Sequence, residues 1–428
     1  MLYKIVKKLD ALIFSKDRRD FVENLITLGF ANIIAGILPI ATIPYLMHTI
    51  GPEKYGLIAF AQALIQYFVL LTDYGFNFSA NRQISICRND RERVAMIFNA
   101  ILMARLILMA GCFLLLLALL LAVPKFGKDP LVYLWSFGAV LGSVLLPVYF
   151  FQGMEKMRYI FFANLWSLAS LALIVGFVKE EAHYIYVPLF NSVGVLLAGI
   201  YALIAIRVKF HVRFFIPPFH EIMDQFRDGW HVFISNMTGA FYNNSRVFIL
   251  GFFVTSTITG YYAIAEKMIG LLITFPLLLI LLAAFPRLCD LYVRKPEMAR
   301  LRLHQFHWGL VFIYGFLVPL AFVFARPLVY LLCGGATPSE VILCFRILLI
   351  SLGLTAANVF PLHAFLIVGK PAFFSKINVI YGILGPFVTL LGAYYYSYQG
   401  VAVSVVLMSI FGFFLTLNEH KTKEMQGT

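Results

Sequence analysis

Tyr55-Gly56-Leu57-Ile58-Ala59-Phe60-Ala61-Gln62 returns, altered but aligned, as Thr259-Gly260-Tyr261-Tyr262-Ala263-Ile264-Ala265-Glu266. The offset, 260 − 56 = 204, also pairs Asn32 with Asn236 and Gly111 with Gly315. A slightly larger one, 361 − 147 = 214, pairs Pro147 with Pro361 and Asn164 with Asn378. Regions recurring in one order along 428 residues indicate a duplicated half. If each half crosses a membrane an even number of times, the two run parallel about an axis along the membrane normal. Such halves enclose a midplane site between them.

The remainder of the chain supplies the crossings. Hydrophobic residues make up 61% and charged residues 13%, and the mean hydropathy is +0.86. A soluble core cannot hide that much apolar surface. Apolar runs near the ~20 residues of a membrane-crossing helix fall at 24–48, 54–78, 96–122, 131–151, 159–178 and 184–206 in the first half. In the second they fall at 229–253, 259–285, 307–330, 340–367, 374–396 and 400–417. The fold expected is all-α and integral to the membrane, with about twelve helices in two parallel six-helix bundles around a central cavity. Residues 1–206 form the N-terminal bundle, 207–228 a cytoplasmic linker and 229–428 the C-terminal bundle. In the linker, Ile216-Pro217-Pro218-Phe219 precedes Ile222, Phe226 and Trp230, which reads as a short interfacial helix or as a lead-in turn.

A net charge of +13 would suggest nucleic acid in a soluble protein. Here the basic residues sit on alternating loops instead. Arg82, Arg88, Arg91 and Arg93 lie on one, Arg207, Lys209, Arg213 and Arg227 on the next, and Arg287, Arg294, Lys295, Arg300 and Arg302 on a third. That pattern puts both termini of a multi-pass membrane protein in the cytoplasm and leaves no nucleic-acid partner. Lys4, Lys7, Lys8, Lys16, Arg18 and Arg19 precede a first span too long for a signal-peptide core, so no cleaved leader is expected. The five cysteines show no CxxC or CxxH spacing and read as packing residues. No phosphate loop, metal cluster or nucleophile–base set is visible, so neither catalysis nor a cofactor is expected.

Polar residues inside the spans recur on particular faces. Span seven carries Asn236, Gly239, Asn243 and Arg246 at intervals of 3, 4 and 3, which is one helical stripe. Span two carries Ala59, Gln62, Gln66 and Asp73, and span eight carries Ala263, Glu266 and Gly270. Small residues and amides also glue helices together. Ionisable groups at bilayer depth, however, cost several kcal/mol unless paired or solvated. Arg105, Arg246, Lys267 and Arg346 therefore read as an anion-binding set, helped by Asn32, Asn236, Asn243, Gln62 and Gln66. Arg105 and Arg346 read equally as snorkelling anchors. Glu266 and Asp73 are the candidate ion-coupling carboxylates, with Arg246 the expected partner of Glu266.

Ile43-Pro44-Tyr45-Leu46, Gly51-Pro52-Glu53-Lys54-Tyr55-Gly56 and Asp73-Tyr74-Gly75-Phe76 together resemble the N-terminal signature of the Wzx-type O-antigen and polysaccharide flippases. Gly229-Trp230, Ser235-Asn236, Gly251 and Gly260-Tyr261-Tyr262 resemble the start of their second half. Those flippases belong to the multidrug/oligosaccharidyl-lipid/polysaccharide exporter superfamily. The resemblance implies alternating access, with helices one, two, seven and eight lining the cavity. It also implies a substrate, an undecaprenyl-pyrophosphate-linked oligosaccharide, that moves from the cytoplasmic to the periplasmic leaflet. Membrane lipids, a polysaccharide polymerase and a chain-length regulator are the further partners it implies. A drug or metabolite antiporter of the same superfamily is the alternative. A membrane-embedded O-antigen polymerase would want a large periplasmic loop, which this chain lacks.

Overall fold

The computed structural model describes residue 36 and residues 40–367 and 371–424, and every regular element among them is helical. The first half comprises α1 (Ile43–Thr49), α2 (Gly51–Asp73), α3 (Phe76–Ile86), α4 (Arg91–Ala122) and the short α5 (Pro124–Gly127). It continues with α6 (Pro130–Leu145), α7 (Val148–Gly153), α8 (Arg158–Trp166), α9 (Leu168–Phe177) and α10 (Tyr186–Lys209). The second half comprises α11 (Phe219–Phe253), α12 (Ser256–Arg294), α13 (Pro296–Val323), α14 (Ala325–Leu332), α15 (Ser339–Ile367) and α16 (Pro371–Glu424). Seven stretches among the described residues are long and apolar enough to cross a membrane.

Local chemistry explains where the helices break. Span two ends at Tyr74 and Gly75, whose φ values of 46° and 76° are both left-handed and cannot continue a right-handed helix. Span four breaks at Pro147, which has no N–H to donate back along the helix. The expected spans eleven and twelve are α16, kinked at Tyr396 and Ser397. Asp90 starts α4 by accepting hydrogen bonds from the Glu92 and Arg93 backbone N–H groups. After Pro217-Pro218, α11 runs unbroken from Phe219 to Phe253. Ile222, Phe226 and Trp230 are thus early turns of span seven.

The halves meet where the repeated sequence meets itself. α2 and α12 cross at Gly56 and Gly260: a Cβ added to Gly260 would lie 3.0 Å from Gly56 Cα and 2.8 Å from the Pro52 carbonyl oxygen. These are the two glycines that the 204-residue offset equates. In a two-fold arrangement a residue touches its own equivalent only on the axis. The pseudo-two-fold therefore passes through this crossing. At the same end of the bundle, Gly334 backs onto Pro44 and His48. Lys125 also reaches the Gly251 carbonyl there while lying over the Phe60 and Phe252 rings, at 5.1 and 5.4 Å. The opposite end carries the arginines and lysines of the basic loops.

α11 belongs to both halves. It runs along α2 through Phe248 on Phe60, Phe241 on Tyr67 and Phe233 on Tyr74, with ring centroids 5.5, 5.3 and 4.5 Å apart. Its other side packs on α16, where Gly385 admits the Tyr242 ring. One buried cluster joins the halves around Phe60, Leu250 and Tyr262. A second lies within the first half around Phe76, Phe98 and Phe150. Because the axial crossing has no room for a side chain, Gly260→Val should cost about 1–3 kcal/mol and lower the unfolding midpoint of the purified protein by several degrees. An unchanged midpoint would contradict the crossing.

Candidate functional site

Beneath the glycine crossing lies a cavity of about 450 Å³ between the halves, within the usual range for small-molecule sites. α2 lines it with Tyr55, Ala59, Gln62 and Gln66, and α12 with Ala263, Glu266 and Lys267. α10 contributes Asn191 and Ser192, α11 Asn243 and Asn244, α6 Ser136 and the N-cap of α1 Thr42. Helical spacing explains the two principal walls, since Ala59, Gln62 and Gln66 share a face, as do Ala263 and Glu266. Gln62 and Glu266 are equivalent under the repeat, and both line the cavity. Duplication has thus placed an amide on one wall and a carboxylate at the matching place on the other.

Glu266 and Lys267 are neighbours in sequence but diverge by about 100° around α12. Glu266 turns to α11, where its Oε1 lies 2.9 Å from Arg246 Nε, with side chains 24% and 15% exposed. Arg246 also lies over the Tyr242 ring at 5.3 Å and donates to the Asn243 carbonyl at 3.2 Å. Lys267 turns to α2 and donates to the Tyr55 hydroxyl at 3.1 Å. The pair joining α11 to α12 is therefore close to neutral. Lys267, anchored by a phenol, supplies positive charge to the lining.

Gln62, Gln66, Asn243, Glu266 and Lys267 thus come together, with Arg246 immediately behind Glu266. Asn32 and the Asn236 side chain lie outside the described residues. Arg105 and Arg346 are not brought to the cavity. Arg105 is 3% exposed and donates to the Ser143 carbonyl at 3.0 Å. That carbonyl, four residues before Pro147, also accepts from the Leu146 backbone N–H at 3.3 Å, so the guanidinium is its second donor. Asp73 stands 4.0 Å from the same guanidinium and accepts from Asn77 at 2.6 Å. It belongs to a separate polar cluster among α2, α4 and α6. Arg346 lies over the Phe322 ring at 4.8 Å, where α15 faces α13. Tyr55, Asn191, Ser192 and Asn244 were not singled out from the sequence. The Asn191-Ser192 pair, standing in an otherwise apolar span, was the available signal.

A double-mutant cycle tests the ion pair. Arg246→Ala and Glu266→Ala should each destabilise the purified protein, and the double variant by less than their sum, with an interaction energy of about 0.5–3 kcal/mol. Additive losses would mean that the two side chains do not interact.

The profile of the polysaccharide biosynthesis protein family matches residues 21–292, more than half of the chain. A protein of Escherichia coli (strain K12) named as a candidate O-antigen transporter is 28% identical over 368 residues, 85% of this chain and 87% of that one. Another from Shigella dysenteriae, named in the same way, is 23% identical over 407 residues, 91% of this chain and 97% of its own. Among solved structures, the lipid II flippase MurJ in an inward closed conformation superposes with a TM-score of 0.71 at 14% identity, covering 92% of this chain and 87% of MurJ. An inward-facing multidrug resistance MATE family transporter of the MOP superfamily gives 0.67 at 14% identity, covering 92% of this chain and 100% of the transporter. At such identities these two establish a shared fold. With the family profile spanning the first half and the start of the second, this multi-pass membrane chain belongs to the polysaccharide biosynthesis protein family.

Proposed function

We propose that this protein is a flippase. It carries undecaprenyl-pyrophosphate-linked O-antigen repeat units from the cytoplasmic to the periplasmic leaflet of the bacterial inner membrane by alternating exposure of the cavity between its halves. The observation that carries the reading is the cavity wall, where five amides (Gln62, Gln66, Asn191, Asn243 and Asn244) converge with Lys267 inside an otherwise apolar bundle. Sugar hydroxyls both donate and accept, and amides are side chains that offer both. The barrier to flipping is dehydration of the head, because an unpaired polar group in hydrocarbon costs several kcal/mol. An amide-lined passage substitutes for that water while the polyprenyl tail stays in lipid.

The pyrophosphate needs cations. Lys267 faces the cavity, and Arg246 is one ion pair away from it. When phosphate oxygens take the Arg246 guanidinium, Glu266 loses its partner and takes up a proton or a metal cation. Once the cargo has left on the outer side, counter-flow of a proton or sodium ion through Glu266 resets the pair, which is a route to coupling. Asp73 beside Arg105 is the second proposed coupling carboxylate. With both termini cytoplasmic, an inside-negative potential assists the outward passage of negative charge by about 2.3 kcal/mol per charge per 100 mV. The product emerges on the leaflet where a polysaccharide polymerase and a chain-length regulator would receive it. The names of the relatives and the fold shared with a lipid II flippase support this reading.

The test is flipping of a lipid-linked repeat unit by the purified protein in proteoliposomes. Lys267→Ala and Gln62→Ala should each slow it by roughly tenfold or more. Glu266→Gln should remove its dependence on a pH or sodium gradient. Full flipping by all three variants, or export of lipophilic drugs with no movement of lipid-linked sugar, would overturn the proposal.

A further inference from the structure

A second pocket, of about 340 Å³, opens at the basic end of the first half, where α4 begins and α7 and α10 finish. It shares no lining residue with the cavity between the halves. Arg88, Arg91, Lys209 and His211 line it, and the fully buried Phe150 and nearly buried Val212 form its apolar floor.

The positive charge here is left unmatched. Arg88 is paired with Glu155 at 2.8 Å. Asp90 uses its carboxylate on the Glu92 and Arg93 backbone N–H groups, and Glu221 pairs with Arg93 at 2.8 Å. Arg91, Lys209 and His211 are exposed, and among the described residues none of them pairs with a carboxylate, the neighbouring exposed Glu92 included. Arg91 opens α4, where the helix dipole itself is positive and a cation is disfavoured. Two cations, an imidazole and a helix N-terminus thus surround one hollow, an arrangement suited to an anion.

The surroundings say which kind of anion. After the pocket-lining His211 and Val212 and the exposed Arg213 come Phe214, Phe215 and Ile216, 47%, 41% and 81% exposed, and before Arg88 stands Ile86 at 76%. Bare aromatic and aliphatic side chains flanking a basic hollow, at the ends of membrane-crossing helices, belong at the level of lipid headgroups. We propose that this pocket binds the phosphate-bearing headgroup of an anionic phospholipid from the surrounding leaflet. Arg91, Lys209 and His211 hold the phosphate, and the flanking apolar residues sit among the acyl chains. The inference needs only that the chain resides in a membrane, and it stands apart from the transport proposal.

Native mass spectrometry of the full-length protein in detergent, titrated with phosphatidylglycerol or phosphatidylcholine, tests it. Phosphatidylglycerol should be retained roughly tenfold more tightly than phosphatidylcholine. The Arg91→Gln, Lys209→Gln, His211→Gln variant should lose that preference. A control neutralising Arg82, Lys156 and Arg158, at least as basic a set but outside the pocket, should keep it. Lys209→Gln alone should move in the same direction by a smaller factor, so that the triple variant is not needed to decide. Undiminished preference in the pocket variants, or equal loss in the control, would overturn the proposal. So would saturation by inorganic pyrophosphate in a protein that does not distinguish the two phospholipids, since the site would then belong to a pyrophosphate head. Flipping measured on the same variants separates the two proposals, because neither loss requires the other.

Discussion

Two backbones touch at Gly56 and Gly260 with no side chain between them, and the rest of the molecule is arranged around that contact. It is the place where the two copies of one duplicated sequence meet, so it marks the axis relating the halves. Close approach of helices within a membrane depends on packing, since lipid is as apolar as leucine and gives little reason for apolar helices to associate. Glycine supplies the packing. Beside the crossing, Phe60 fits against Gly251, and Lys125 spans from one half to a helix-end carbonyl of the other. One end of the bundle is thereby shut by backbone contact, and beneath it a cavity remains between the second helices of the two halves.

Burial of charge dictates the remainder of the arrangement. Arg246, Arg105, Lys267 and Arg346 have been given, in turn, an anion, a carbonyl, a hydroxyl and a ring. Arg105 donates to the Ser143 carbonyl beside the break at Pro147 and so ties α4 to the end of α6 within the first half. Arg346 rests on an aromatic ring. Arg246 differs, because its partner Glu266 lies on the cavity wall and on the neighbouring helix. An ion pair between two helices at the edge of a wet space can be opened by a charged cargo, whereas one sealed inside a half cannot. That difference, more than the number of buried arginines, sets the chemistry of the site apart from the chemistry of the scaffold.

Much of this was legible in the sequence. The recurrence of Gly56 at Gly260 gave the parallel halves, and the apolar runs gave the membrane class. The three-and-four spacing in spans two, seven and eight gave Gln62, Gln66, Asn243 and Glu266. Arg246 as the partner of Glu266 followed from the cost of burying either alone. What could not be read was lateral. Periodicity tells which residues share a face and not which neighbour that face meets. Arg105 and Arg346 therefore looked like Lys267, although they turn toward Ser143 and Phe322. An isolated polar pair such as Asn191-Ser192 carries no period, and Asn244 lies one residue off the stripe that Asn243 continues. The continuity of α11 across the expected linker boundary was hidden by Pro217-Pro218, which marks a helix start as readily as a loop.

Alternating exposure of the amide-lined cavity, as proposed, requires the halves to part at the glycine crossing when cargo is bound. Spin labels at Glu53 on α2 and Thr255 at the N-cap of α12, exposed positions flanking the crossing, would report on it in a background without the five native cysteines. Pulsed electron paramagnetic resonance in lipid bilayers should give one short distance in the free protein. Adding undecaprenyl-pyrophosphate-linked oligosaccharide should produce a second, longer population. A single short distance under both conditions, in protein that flips the same substrate, would contradict the account.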